Sequence, residues 1–341
     1  MNRNIAIDSA CGLMIIYMIF THLLQTNPQI DDQTPNLQAG LSHLFFYFMP
    51  WFFFKAGQFY KPKPLKEVVK DSYKRLLVPF CVFSFLGHLL YCLCLYLKGD
   101  SNIIHYTLSF IKAILFSGAS QGNQPIWFLL SLFIVRIVYS YITARKVPAH
   151  IIAILALTIS CLLHELIPYL STPDEGFGIP LYFLNSTSGI FFYAMGVILR
   201  NKQYSGGVIL SSVFIYITIA LLDFSVVGFR SDNLMKGHYL VYKIDSIAGI
   251  VIINSLLKLF SRLYKMPILS YIGRNSMYFL ILHYPLMTLT LILYSKRGLP
   301  QFFMEVIVII LVVPIIAMLT KKNKWLSYIF GEKLLNFEMK K

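Results

Sequence analysis

The chain has 341 residues, 57% of them hydrophobic and only 13% charged, and a net charge of +15 from 30 Lys and Arg against 15 Asp and Glu. A soluble domain carries about 25% charged residues and about 45–50% apolar ones, so this chain cannot cover a water-facing surface. A soluble enzyme, a disordered chain and a disulfide-stapled secreted scaffold are excluded, as is a nucleic-acid partner, because no basic stretch forms a soluble module.

A membrane-spanning helix needs about 20 residues. Ten apolar runs qualify, at 5–24, 41–60, 76–97, 125–143, 149–167, 180–199, 207–225, 239–260, 268–294 and 301–319. The fold class expected is therefore all-α: a polytopic helical protein of about ten transmembrane helices. It forms a single domain, 1–341, with spans between about 5 and 320 and a short tail, 321–341. The run from Ile103 to Ser117 is shorter, carries His105 and Lys112, and reads as an interfacial helix.

Ten spans place both termini on one side. Twenty-one Lys and Arg fall in the segments of that side, with clusters at 61–75, 258–274 and 321–341. Seven fall opposite: Lys98, Lys112, Arg230, Lys236, Lys243, Lys296 and Arg297. Positive charge is retained on the cytoplasmic side, so both termini are expected there, in the plasma (inner) membrane. The acidic pairs Asp31-Asp32 and Asp174-Glu175 then lie in outer loops. Ser9-Ala10-Cys11 is faintly like a lipoprotein cleavage site, but the apolar run follows it, so an uncleaved span is expected. Cys11, Cys81, Cys92, Cys94 and Cys161 all sit in apolar runs without metal-ligand spacing. They read as small buried hydrophobes, and no metal is expected.

Ionisable groups inside spans are functional candidates, and along the chain these are Asp8, His22, Lys55, His88, Arg136, Asp223, Asp245 and His283. His22 ends the first run. Asp8 lies 14 residues before it, on nearly the same helix face but about 21 Å away, so Asp8 cannot orient it directly. A wetted interfacial histidine is the alternative reading. In the second run, Pro50 frees a backbone carbonyl and Gly57 allows close approach, while Lys55 either serves the site or snorkels to the inner face. His88 and Arg136 read as helix-to-helix polar contacts, Asp223 and Asp245 as wetted span ends, and His283 as a hydrogen-bonded core histidine unless the site uses it.

Five segments together resemble one family. Asp8 through Gly12 to His22 is similar to the opening of the membrane acyltransferase 3 family, including its fucose 4-O-acetylase-like branch. Phe48 to Gly57 resembles its Met-Pro-x-Phe-Phe-Phe-x-Ser-Gly stretch, and Arg75-Leu76-Leu77-Val78-Pro79 the start of its third span. Pro125-Ile126-Trp127-Phe128-Leu129 resembles its Trp-Phe-Leu span start, and Ile272-Gly273-Arg274-Asn275-Ser276 with His283 its Ile-Gly-Lys-Asn-Ser and histidine segment. The resemblance runs from about residue 5 to 320.

It implies an integral membrane acyltransferase that moves an acyl group, usually acetyl, from acyl-CoA (acetyl-CoA) to a hydroxyl of a cell-envelope sugar or lipid-linked glycan, among membrane lipids. It implies His22 as the catalytic base, with Asp8, Asn275 and His283 in the catalytic set and Trp127 or Asn275 as oxyanion donors. Lys55, Lys74, Arg75 and Trp127 would hold the donor. The family's Lys or Arg after the acidic residue is Cys11 here, and its Ser is Ala56. Either Lys55 stands in for the missing cation, or Lys74 and Arg75 alone hold the donor, or the chain is catalytically degenerate. A transporter or flippase for a lipid-linked sugar is the alternative function, although no pair of interrupted spans repeats in matching halves.

Overall fold

A computed structural model describes residues 4–27, 44–172, 177–178, 180–200, 202–222, 238–293 and 298–332. Arg3, Asp31, Asp32, Asp174, Glu175, Asp223, Arg230, Lys236, Lys296, Arg297, Lys333, Lys340 and Lys341, assigned above to loops, tails or a span end, lie outside the described residues.

The protein is all-α. Helix α1 (Ile5–Thr26) starts where the Asn4 side chain accepts from Ile7 N, and it ends at Asn27. After it come α2 (Phe48–Gln58), α3 (Leu65–Ser72), a π-helical turn (Tyr73–Leu77), α4 (Val78–Leu97), α5 (Ile103–Leu108), α6 (Phe110–Ser117) and α7 (Trp127–Ala144). Next are α8 (Ala149–Leu170), a pair of two-residue strands (Ser171–Thr172 and Phe177–Gly178), α9 (Leu181–Ile198), α10 (Gly206–Leu221) and α11 (Tyr239–Leu263). The chain closes with α12 (Pro267–Arg274), α13 (Ser276–Leu293), α14 (Leu299–Lys322) and α15 (Lys324–Ile329).

Among the described residues, seven helices are long and apolar enough to cross a membrane. The expected spans 41–60, 207–225 and 268–294 hold the shorter helices α2, α10 and α13, of 11, 16 and 18 residues. The expected interfacial run is two short helices, α5 and α6, whose Ile104, Leu108 and Ile111 are exposed. Burial orders the bundle: α1 is 61% buried, whereas α8 and α14 are 22% buried and carry exposed leucines and isoleucines outward, as lipid-facing helices do. Helix α1 is therefore the most enclosed of the seven.

Local chemistry corrects several expected boundaries. The span 268–294 divides at Asn275, whose side-chain amide donates to Tyr271 O while its own carbonyl starts the next helix. A side chain that bonds nearby backbone competes with helix continuation in this way. Pro50 lies in the first turn of α2, where a missing N–H costs nothing, so it frees no carbonyl mid-helix. The third span begins earlier than expected, because 65–97 is one helical run with a π turn ahead of Pro79. Proline cannot donate to the Arg75 carbonyl four residues back, and the wider turn accommodates that loss. The tail is not all free: α15 and Phe330 fold back, with Phe330 between Phe83 and Tyr278 at 4.7 and 4.8 Å.

Glycines set the closest helix contacts. A Cβ on Gly273 would lie 1.7 Å from Asp8 O, and one on Gly12 would lie 2.0 Å from Leu269 O, so α12 packs backbone-to-backbone along α1. Gly57 and Gly196 play the same part between α2 and α9. Cys11 and Cys94 are buried as expected; Cys81 is exposed on the outer face of α4, because its position on that helix looks away from the bundle.

Candidate active site

His22 opens into a chamber of about 550 Å³. Helix α1 contributes Met18, Thr21, His22 and Gln25, while α2 contributes Phe48 and Met49. The end of α6 and the loop after it contribute residues from Ser117 to Pro125, α7 gives Trp127, and α13 gives Leu280. The imidazole is partly exposed to this space. Its Nδ1 lies 3.2 Å from Gln25 Oε1, one turn on. An amide oxygen only accepts, so Nδ1 carries the proton and Nε2 presents its lone pair, the tautomer that a general base requires.

His283 stands beside it. The ring centroids are 5.3 Å apart and inclined by 32°, and Tyr284 meets His22 edge-on at 5.8 Å. His283 is fully buried, its Nδ1–H donating to Phe279 O at 2.7 Å. The core-histidine reading therefore holds for one ring nitrogen; the other, Nε2, has no hydrogen-bond partner among the described residues.

A second chamber, of about 960 Å³, lies toward the opposite end of the bundle. Its cations are Lys61, Lys63, Arg75, Arg136, Arg274 and Lys321, against Asp71 and Glu332. Arg136 Nη2 donates to Asp71 Oδ2 at 2.9 Å, tying α7 to α3 as a helix-to-helix contact while facing the chamber. Five of the six cations belong to segments that the charge count placed on one side of the membrane, and the wall is completed by Phe330 and Gly331 of the returning tail. Such a concentration of positive charge between low-dielectric walls suits a polyanionic ligand.

An apolar neck of about 80 Å³ separates the two chambers. Met49 and Leu280 line both the neck and the His22 chamber; Ser276 and Met277 line both the neck and the basic chamber; Ile15, Phe52 and Phe128 complete it. Along α2, Met49 and Ala56 reach the two chambers seven residues apart, about 10 Å at 1.5 Å per residue. Along α7, Trp127 and Arg136 are nine residues apart, about 14 Å. The three spaces thus lie in series along the bundle, each sharing wall residues with the next.

Of the residues expected from sequence, His22, His283 and Trp127 come together, and Arg75 lies in the basic chamber. The others do not join them. Asp8 is at the far end of α1, under Gly273. Lys74 points outward from the π turn. Lys55 Nζ sits 5.5 Å from the Trp51 ring and lines neither chamber, so the structure does not bring it to the place of the missing cation. Asn275, considered for the oxyanion, instead accepts from Lys321 Nζ at 3.3 Å beside the basic chamber, about 12 Å along α13 from His283. Trp127, expected with the donor cations, faces the His22 chamber.

Other polar groups emerge only in three dimensions. Lys243, counted above as an outer charge, is buried one turn into α11, hydrogen-bonded to Ser188 and ringed by Phe191, Phe192, Tyr239 and Tyr242. Asp245, expected at a wetted end, is buried although it lies less than two turns from the start of α11. Glu305 accepts from Asn27, Thr290 and Gln301 at 2.9–3.2 Å, joining α14 to the end of α1 and to α13. Its position inside an apolar run was the signal that could have found it. Gln25, three residues after His22, was legible by helical spacing alone.

The family model of the acyltransferase 3 family, described as an acyltransferase domain, matches residues 4–321. No curated protein matches the chain, and no solved structure does.

Proposed function

The chain belongs to the acyltransferase 3 family and is a multi-pass membrane acyltransferase; from that premise we propose that it carries an acyl group from cytoplasmic acyl-CoA, acetyl-CoA in the first instance, to a hydroxyl of an envelope sugar or lipid-linked glycan. The observation that carries the reading is the series basic chamber, apolar neck, imidazole. Coenzyme A has phosphates at one end and a thioester at the other, joined by a thin uncharged arm. Its phosphates suit Lys61, Lys63, Arg75, Arg274 and Lys321, its arm suits the neck, and its acyl group then lies at His22. On this reading the basic chamber faces the cytoplasm, both termini are cytoplasmic, the chain crosses the plasma (inner) membrane ten times, and the acceptor reaches His22 from the outer half. A deoxy-sugar hydroxyl, as in the fucose 4-O-acetylase-like branch, is the acceptor type nearest to that picture.

The chemistry follows from the tautomer. His22 Nε2 takes the acceptor's hydroxyl proton as that oxygen attacks the thioester carbonyl, and Gln25 holds the Nδ1–H in place. The tetrahedral intermediate collapses with loss of the thiolate, which recovers the proton from the imidazolium. The Trp127 indole lines the same space and supplies an N–H toward the developing oxyanion. A base at this position contributes about 10²–10⁴ in rate. The test is labelled acetyl-CoA given to the purified protein in detergent with an envelope-glycan extract. Label entering the glycan fraction, and lost in His22→Ala, is the expected result. Glycan-lipid movement across vesicles without label transfer would replace the enzyme with a transporter.

A further inference from the structure

The loop between α6 and α7 is built more rigidly than a connection requires. Pro285 has no N–H to offer the Ile281 carbonyl four residues back, and that carbonyl is taken by Asn123 Nδ2 at 3.1 Å. Asn123 Nδ2 also lies 3.4 Å from Phe83 O on α4, and the Asn123 backbone N–H donates to Ser120 O at 3.1 Å. Gly122 lies against Gly87, where an added Cβ would fall 1.9 Å from the Gly87 oxygen. One loop is thus fastened to α4 and to α13, two residues from His283.

What the loop holds in place is a set of polar residues lining the chamber into which His22 opens. Ser120 lines the His22 chamber; the residue is 1% exposed, and its buried Oγ has no hydrogen-bond partner among the described residues. Buried hydroxyls nearly always have one, and beside a chamber a ligand's hydroxyl is a group that can supply it. Gln121 and Gln124, joined by a 3.2 Å hydrogen bond, stand exposed at the rim with Gln25. Among the described residues lining this chamber there is no Asp, Glu, Lys or Arg. A charged group entering it would lose its water without meeting a countercharge, whereas hydroxyls and amides can satisfy an uncharged polyol in both directions.

We propose that Ser120, with the rim of Gln25, Gln121 and Gln124, is the acceptor-reading element of this chain, and that it selects an uncharged hydroxylated acceptor over an anionic or cationic one. The inference rests on the acyl-transfer reading for the name acceptor, but it can be read by binding alone. The full-length protein in detergent is titrated with four methyl glycosides: a neutral hexoside, its 6-deoxy counterpart, the matching uronate and the matching amino sugar. Fluorescence of Trp127 in the chamber wall is followed, with Trp127→Phe identifying its signal.

The neutral glycosides bind at least tenfold more tightly than the uronate and the amino sugar. Ser120→Ala and the double variant Gln121→Ala, Gln124→Ala each weaken the neutral glycosides at least tenfold, and Ser120→Thr, which keeps the hydroxyl, restores binding. Equal or tighter binding of a charged glycoside overturns the proposal. So does wild-type affinity in Ser120→Ala, or absence of neutral binding at concentrations on the order of the 0.1 M used in carbohydrate titrations. Failure of label transfer in the preceding experiment would remove the enzyme reading and leave this preference standing or falling by itself.

Discussion

Replacing Ser276 by Phe should separate donor binding from reaction. Ser276 borders both the neck and the basic chamber. An apolar cavity of about 150 Å³ accommodates one benzene, and the neck measures about 80 Å³. A phenyl ring projecting from position 276 therefore occupies all of it, while the cations of the basic chamber are untouched. The thioester is then held about 10 Å short of His22, the separation of the two chambers along α2. Misplacement by 1 Å can already cost about 10²-fold in rate, so acyl transfer should fall by at least that factor. The assay pairs label transfer from acetyl-CoA with calorimetric binding of 3′,5′-ADP, which carries the nucleotide phosphates but no arm. Transfer lost with nucleotide binding kept is expected, and Ser276→Ala should retain both. Full transfer in a correctly folded Ser276→Phe protein would refute the route through the neck.

Three further outcomes follow from the same geometry. Arg75→Ala or Lys321→Ala should raise the KM for acetyl-CoA several-fold with little change in kcat, and added salt should raise the wild-type KM in the same direction as the phosphate contacts are screened; an unchanged KM in both variants counts against the basic chamber as the donor site. Gln25→Leu leaves the His22 ring without its Nδ1 partner, and kcat should drop about tenfold or more within the 10²–10⁴ range attributable to the base, with the donor KM unaltered; Gln25→Glu, which still accepts the Nδ1–H, should recover most of it. Gly273→Ala would set a Cβ 1.7 Å from Asp8 O, forcing α12 off α1 at a cost of about 1–3 kcal/mol. The thermal midpoint should fall by several degrees, and a midpoint equal to wild type would show that this contact is not close.

The large-scale pattern was readable because length and hydropathy are properties of consecutive residues: α1, α7, α9, α11 and α14 lie where apolar runs end on polar or helix-capping residues. Gly12, Gly57 and Gly273, met first as family motif positions, turn out to be places where two helix backbones touch. The misreadings share a cause. Lys243 was counted by its nearness to a loop, yet its ammonium is enclosed by four rings and Ser188 contributed by α9 and α11. Lys55 and Lys74 were chosen as cations near the inner ends of their spans, whereas the chamber draws Arg136, Arg274 and Lys321 from three separate helices. Asn123 and Ser120 drew no attention because an uncharged residue in a loop carries no periodic signal; the carbonyl freed by Pro285 gives Asn123 its role only once α13 lies beside the loop.

The central claim is that a donor anchored among cations at one end of the bundle presents its acyl carbon to the imidazole of His22 near the other. A cryo-electron microscopy map of the protein with a thioether analogue of acetyl-CoA tests it most directly. The account predicts phosphates among Lys61, Lys63, Arg75, Arg274 and Lys321, the arm between Phe52 and Leu280, and the acyl carbonyl close enough to His22 Nε2 for a hydroxyl to bridge them. Phosphates bound elsewhere, or an arm that turns away from the neck and leaves His22 unreached, would contradict it.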